Sequence, residues 1–142
     1  MPAYTDKAAL VARYGTKKLV DLTDREQPYT ETIVDAVLDQ AIASAAAVID
    51  AHLAGRYALP LASVPAVVAQ IAGTLSIAGL YIDDAPAKVT ADYQQAMKML
   101  RDIRDGSLAL DVAGVEPAAA QAGSIEVVAG ERLFGRDNMA GF

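Results

Sequence analysis

Apolar residues recur at three- and four-residue steps through most of the first 109 residues, broken by short polar turns. That spacing places them on one face of a helix and predicts helices near residues 5–14, 17–23, 31–54, 64–82 and 88–105. In the first, "TDKAALVARYG", Thr5 is placed to cap, Asp6 suits the N-terminal dipole and Gly15 ends the run. In the second, "TKKLVDLTD", Thr16 is placed as the cap, and Leu19, Val20 and Leu22 face inward. After the polar turn "REQP", the third and longest run carries Val34, Leu38, Ala41, Ala45, Ile49 and Leu53 as one apolar stripe, with Gly55 as its stop.

The fourth run, Val64 to Ile82, has no charge. Ser63 is its expected cap, with Pro65 in the first turn. A membrane span needs about 20 mostly apolar residues. Pro65, Gln70, Thr74 and Ser76 dilute this run, and Asp83 and Asp84 follow it without a basic flank. The reading is therefore a buried central helix, with Ala69, Gly73, Ser76 and Gly79 letting neighbours come close. The fifth run puts Val89, Tyr93, Ala96, Met97, Leu100 and Ile103 in its stripe and ends at Gly106, with Lys98, Arg101, Asp102, Arg104 and Asp105 mostly on the other faces.

The character changes after "SLAL". "DVAGVEPAAAQAG" carries no helical period, and "SIEVVAGERLF" reads as two short strands around Ala129 and Gly130, a weak pair for a tight hairpin. The expected organisation is an all-α bundle, residues 1–109, around a central hydrophobic helix, followed by an extended C-terminal arm, residues 110–142. The last stretch, "ERLFGRDNMAGF", is too apolar for a solvated tail and too short to form a core. Its Leu133, Phe134, Met139 and Phe142, with Arg136 among them, call for a partner surface. No internal repeat is apparent.

Composition narrows the chemistry. The chain has 142 residues, 54% of them hydrophobic, with a mean hydropathy of +0.25, which excludes a disordered chain. Much of the apolar fraction is alanine, the residue of close-packed helices. With no cysteine, disulfides, thiolate zinc sites and Cys nucleophiles are excluded. The start, "MPAYTDKAAL", lacks the basic and apolar run of an export signal, so synthesis in a cytoplasm is expected. The net charge is -6, shared evenly between residues 1–109 and 110–142, and no block is basic enough to grip phosphates.

The polar constellations are weak as sites. Glu31, Asp35 and Asp39 stand at four-residue spacing and are expected to share one helix face, in a region from Glu26 to Gly55 with five acids and no Lys or Arg. The ordinary reading is a solvated face. The functional one is an acidic surface that repels DNA or meets a basic partner, and three carboxylates along one helix do not surround a metal ion. His52, the only histidine, reads as a packing or capping residue. Arg56 and Tyr57 read either as a partner contact or as a ring packed at the core edge under an arginine stem. No nucleophile elbow, phosphate loop or dinucleotide loop is present. No catalytic, cofactor or metal residue is assigned, and the chain is not expected to be an enzyme.

Four stretches together carry a resemblance: "ALVARYGTKKLVDLTDRE", "VIDAHLAGRYALPLASVP", "MLRDIRDGSLAL" and the closing "LFGRDNMAGF". In this order and spacing the chain resembles the Mu-like prophage small virion protein family, which is similar to the head–tail connector adaptors of tailed phages. The turn after "LTDR" is shorter here, "EQPYT", than in many members. The resemblance implies a structural virion protein at the head–tail neck, made in the bacterial host cytoplasm. It implies a closed ring of about twelve copies below the portal protein, meeting the next neck or tail protein. DNA would pass through the centre without sequence-specific binding. It implies no cofactor and no membrane. The competing readings are a soluble helical oligomeric interaction or regulatory protein and a small helical hydrolase. The single histidine and the absence of a convergent acid–base pair disfavour the hydrolase.

Overall fold

The computed structural model describes residues 3–112. The fold is all-α, with five helices in chain order: α1 Lys7–Tyr14, α2 Thr16–Thr23, α3 Asp35–Leu53, α4 Ala66–Leu80 and α5 Ala87–Asp105. No strand occurs among the described residues. The arm beyond residue 112, with the two strands expected in it, lies outside them.

The helix ends refine the expected bounds. Asp6, rather than Thr5, caps α1: its carboxylate accepts the Ala9 N–H at 2.7 Å. Thr16 lies inside α2, whose cap position is Gly15. Pro65 is the cap residue of α4 instead of a first-turn residue, and Ser63 supplies no cap. The largest difference is at α3, which begins at Asp35 and not near residue 31. Asp24 explains this. Its carboxylate accepts the N–H groups of Thr30 at 2.9 Å and Glu31 at 2.8 Å, fixing the polar turn in a non-helical shape. Glu31 then takes a φ of 55°, a left-handed conformation uncommon outside glycine.

α3 and α4 are the axis of the bundle and run in opposite directions: Leu38 shares a buried cluster with Leu80, and Leu53 shares another with Val68. α4 is the most completely buried helix, with Ile71 through Ile77 enclosed without a break. Its polar residues survive there because each is bonded. The Ser76 hydroxyl donates to the Ala72 carbonyl at 2.7 Å, and Thr74 donates to the Gln70 carbonyl at 3.0 Å. At 15 residues α4 is shorter than the about 20 that a span requires. α3, at 19 residues, is long and apolar enough to cross a membrane by length and composition alone, but its Leu38, Ala41, Ala45, Ile49 and Leu53 stripe is buried inside the bundle.

The two clusters divide the work of holding the fold. One gathers the ends of α3 and α5 and the start of α4, with Ile49, Leu53, Val68, Leu100 and Ile103 at its centre and Tyr4, Tyr57 and Leu110 around it. The other joins Leu10 of α1 and Leu19 of α2 to Leu38, Ile77 and Leu80. Each fully buried Leu or Ile in these clusters contributes about 1.5–3 kcal/mol relative to exposure. Gly73 lets α1 lie close on α4: a Cβ there would stand 3.0 Å from the Arg13 guanidinium. Gly79, expected to do the same, has nothing within 4 Å of its Cβ position and is exposed.

Candidate functional site

Polar joints between helices are the main chemistry among the described residues. Arg13 reaches from α1 to α4, donating to the Gln70 carbonyl at 2.9 Å and the Thr74 hydroxyl at 3.1 Å. Arg25 donates to the Leu22 carbonyl at 2.8 Å and also to the Leu80 carbonyl at the end of α4. Thr23, buried, donates to the Leu19 carbonyl at 2.7 Å and accepts the Val34 N–H at 3.0 Å, which ties α2 to the start of α3. The Tyr4 hydroxyl donates to the Asp50 carboxylate on α3. Burial first, then this hydrogen bond and the Asp50 charge, push the Tyr4 hydroxyl well above its ordinary range.

Arg56 and Tyr57 sit at a further joint. The Tyr57 ring is 3% exposed and its hydroxyl accepts the Leu110 N–H at 2.9 Å, so the ring's contacts are within the chain. Arg56, half-buried, donates to the Ile103 carbonyl at 3.3 Å at the end of α5. It lies against Gly106, whose φ of 89° forms the left-handed helix stop, and a Cβ there would meet the guanidinium. Glycine is favoured at 106 by that left-handed conformation, and a side chain there would also displace the Arg56 guanidinium.

The three acids are not one helix face. Asp35 and Asp39 lie one turn apart on α3, both exposed, while Glu31 projects from the preceding turn. Asp35 is paired with Lys7 of α1 at 2.6 Å, which offsets part of that negative charge. Among the described residues no group of three or more His, Cys, Asp or Glu side chains is placed to hold a metal ion. The His52 ring nitrogen Nδ1 lies 2.8 Å from the Val48 carbonyl in its own helix. Leu133, Phe134, Arg136, Met139 and Phe142 lie outside the described residues.

Sequence reasoning missed an apolar groove. It opens between the middle of α3, the end of α4 and the start of α5, with a volume of about 430 Å³. Ala45, Val48, Leu75, Gly79, Val89 and Tyr93 line it. Val48 is 37% and Tyr93 42% exposed. The available signal was Val48 standing off the main α3 stripe, and Gly79 and Tyr93 at helical positions assigned to the core.

Three of the four sequence stretches quoted above thus supply joints and helix ends: Arg13, Asp24 and Arg25 in the first, Asp50, Arg56 and Tyr57 in the second, Ile103, Gly106 and Leu110 in the third. The family described as Bacteriophage Mu, Gp36 matches residues 4–129, which include all of these joints. The chain belongs to the phage Mu Gp36 family. The Mu-like prophage FluMu protein gp36 of Haemophilus influenzae is 25% identical over 142 residues, covering 100% of this chain and 99% of the relative. Gene product J of Escherichia phage Mu is 34% identical over 99 residues, covering 68% of each chain. The match to the Haemophilus relative includes the closing stretch that the family match leaves out.

Proposed function

We propose that this Gp36-family protein is a structural component of the virion, acting as a head–tail connector adaptor that assembles into a ring below the portal. The observation that carries this reading is the family match over residues 4–129 to proteins of phage Mu and a Mu-like prophage. The site geometry agrees with it: Arg13, Arg25, Thr23 and Tyr4 are spent on joints between separate segments of the chain, as a rigid ring subunit requires. In the ring, residues 133–142 are the element that reaches the portal or a neighbouring subunit, with Phe134, Met139 and Phe142 as the apolar anchors and Leu133 and Arg136 beside them. Glu31 and Asp39, with the partly neutralised Asp35, form the acidic surface turned to the DNA channel or to a basic partner. An acidic wall repels phosphates and lets DNA slide. The protein is made in the host cytoplasm and ends in the neck, with no cofactor and no catalysis.

The test is sedimentation of the full chain with portal protein on a gradient, beside a Phe134→Ser, Met139→Ser, Phe142→Ser variant. The full chain is expected to co-sediment with portal as a large ring. The variant should remain folded by circular dichroism and stay at the top of the gradient. A full chain that forms only a small soluble oligomer and ignores portal would replace the connector role with a regulatory or interaction role. Loss of DNA retention when Glu31, Asp35 and Asp39 are changed to Lys would support the channel face, and normal phage titre from assembled particles would remove it.

A further inference from the structure

The groove between α3, α4 and α5 has the shape and chemistry of a seat for apolar side chains. At about 430 Å³ it falls within the range of about 300–1,000 Å³ typical of ligand pockets. Its walls are mostly Ala, Gly, Val and Leu, with one aromatic ring, Tyr93, and the hydroxyls of Ser44, Thr90 and Tyr93 as its polar side-chain groups. The Ser44 hydroxyl at its rim is already spent on the Gln40 carbonyl of its own helix at 2.8 Å. The groove thus offers little to a polar ligand and a sizeable apolar surface to a hydrophobic one.

Where the described chain ends narrows the occupant. Leu110 and Val112 pack against the cluster at the far end of α3 and α5, beside Tyr57. From that cluster's Ile103 back to Val89 in the groove, α5 rises about 21 Å at about 1.5 Å per residue. Twenty residues, 113–132, separate Val112 from Leu133. Fully extended, twenty residues span up to about 66 Å at about 3.3 Å per residue. The tether therefore covers that span and makes the encounter with the groove intramolecular. Residues 133–142 bring two phenylalanines, a leucine and a methionine within ten positions.

We propose that in the free protein residues 133–142 dock into the groove of their own chain, with Met139 and Phe142 seated against Val48, Val89 and Tyr93. This goes beyond the connector reading, because it concerns the free protein before any portal is met. It makes the assembly segment self-covered until a better surface displaces it, which keeps free subunits from sticking to one another.

The chain has no cysteine, so a designed pair gives a clean reading. Val48→Cys with Met139→Cys is introduced in the full chain, without portal, and oxidised gently at low concentration. A control carries Lys98→Cys with Met139→Cys; Lys98 is on the exposed side of α5, nearer along the helix to the chain exit but outside the groove. The expected product is a monomer of unchanged mass less two hydrogens, linked 48 to 139, forming at least tenfold faster than the control link. Covalent dimers would mean that a second copy fills the groove, and rates equal to the control would mean that nothing does. Either result overturns the proposal. A second measurement uses the absence of tryptophan. Phe142→Trp should emit at shorter wavelength in the folded protein than in denaturant and shift back when Val48→Asp is added with helicity retained. Emission identical in folded and denatured protein also overturns it. Both readings are made without portal, so they stand or fall separately from the connector role.

Discussion

The two halves of α5 carry the same apolar stripe and meet different fates. In the second half Ala96, Leu100 and Ile103 are enclosed by α3 and α4 and have almost no exposure. In the first half Val89 is only partly covered, and the Tyr93 ring stands 42% exposed over an open groove. The difference lies in the neighbours. The second half meets large residues, Ile49, Leu53 and Val68, together with Tyr57 and Leu110 from outside the helices. The first half faces Ala41, Ala45, Ala78 and Gly79, whose small side chains leave space. A periodic stripe states which face of a helix avoids water; the size of the residues across from it decides whether that face is filled.

Substitutions at filled positions should separate sharply from those at open ones. The largest effect is expected in α4, the helix that both regions share. Ile71→Asp places an unpaired carboxylate where the side chain is 2% exposed, at a cost of several kcal/mol. Circular dichroism should show loss of the cooperative melt, and a wild-type melt would refute the central placement of α4. Next comes Leu100→Ala in the filled half of α5, expected to cost about 2–5 kcal/mol in denaturant unfolding. Val89→Ala in the open half should cost about 1 kcal/mol or less, since less packing is lost. Equal costs at the two sites would break the comparison.

Tyr4 sharpens it with a pH dependence. The ring belongs to the filled cluster, and burial, the bond to Asp50 and the Asp50 charge raise its hydroxyl above the ordinary value of about 10. The folded protein therefore keeps a proton that the unfolded chain releases. Its contribution is complete below pH about 10 and declines as the pH rises beyond that. Tyr4→Phe should lower stability by about 1–3 kcal/mol near neutral pH and flatten the alkaline decline, measured by urea unfolding from pH 7 to 11. The smallest effect is expected at the surface. Asp35→Asn removes the exposed pair with Lys7 and should change stability by less than about 1 kcal/mol, an effect that salt reduces.

Much of the fold was legible in the chain because helix formation leaves a short-range record. The steps Leu38, Ala41, Ala45, Ile49 and Leu53 located α3, the uncharged run located α4, and Gly106 marked the end of α5. The first residues of α3 were not legible. Glu31, Asp35 and Asp39 have helical spacing, but Asp24 holds the Thr30 and Glu31 N–H groups in a turn, a choice made by a residue six and seven positions earlier. Tyr57 shows the same limit at the candidate site. The sequence left it between a partner contact and a core edge, and its hydroxyl meets the N–H of a residue 53 positions away.

The sequence by itself determined the helical class, the order of the five helices and the face of each that turns from water, because these follow from residue type and a repeat of 3.6 residues. Only the tertiary structure decided which polar groups are spent on joints, Arg13 on α4, Arg25 on the end of α4 and Tyr4 on Asp50, because their partners lie 46 to 61 residues away. It alone decided, too, that the start of α5 borders an open groove: three helices had to be brought together before the small residues of two could fail to fill the space beside the third.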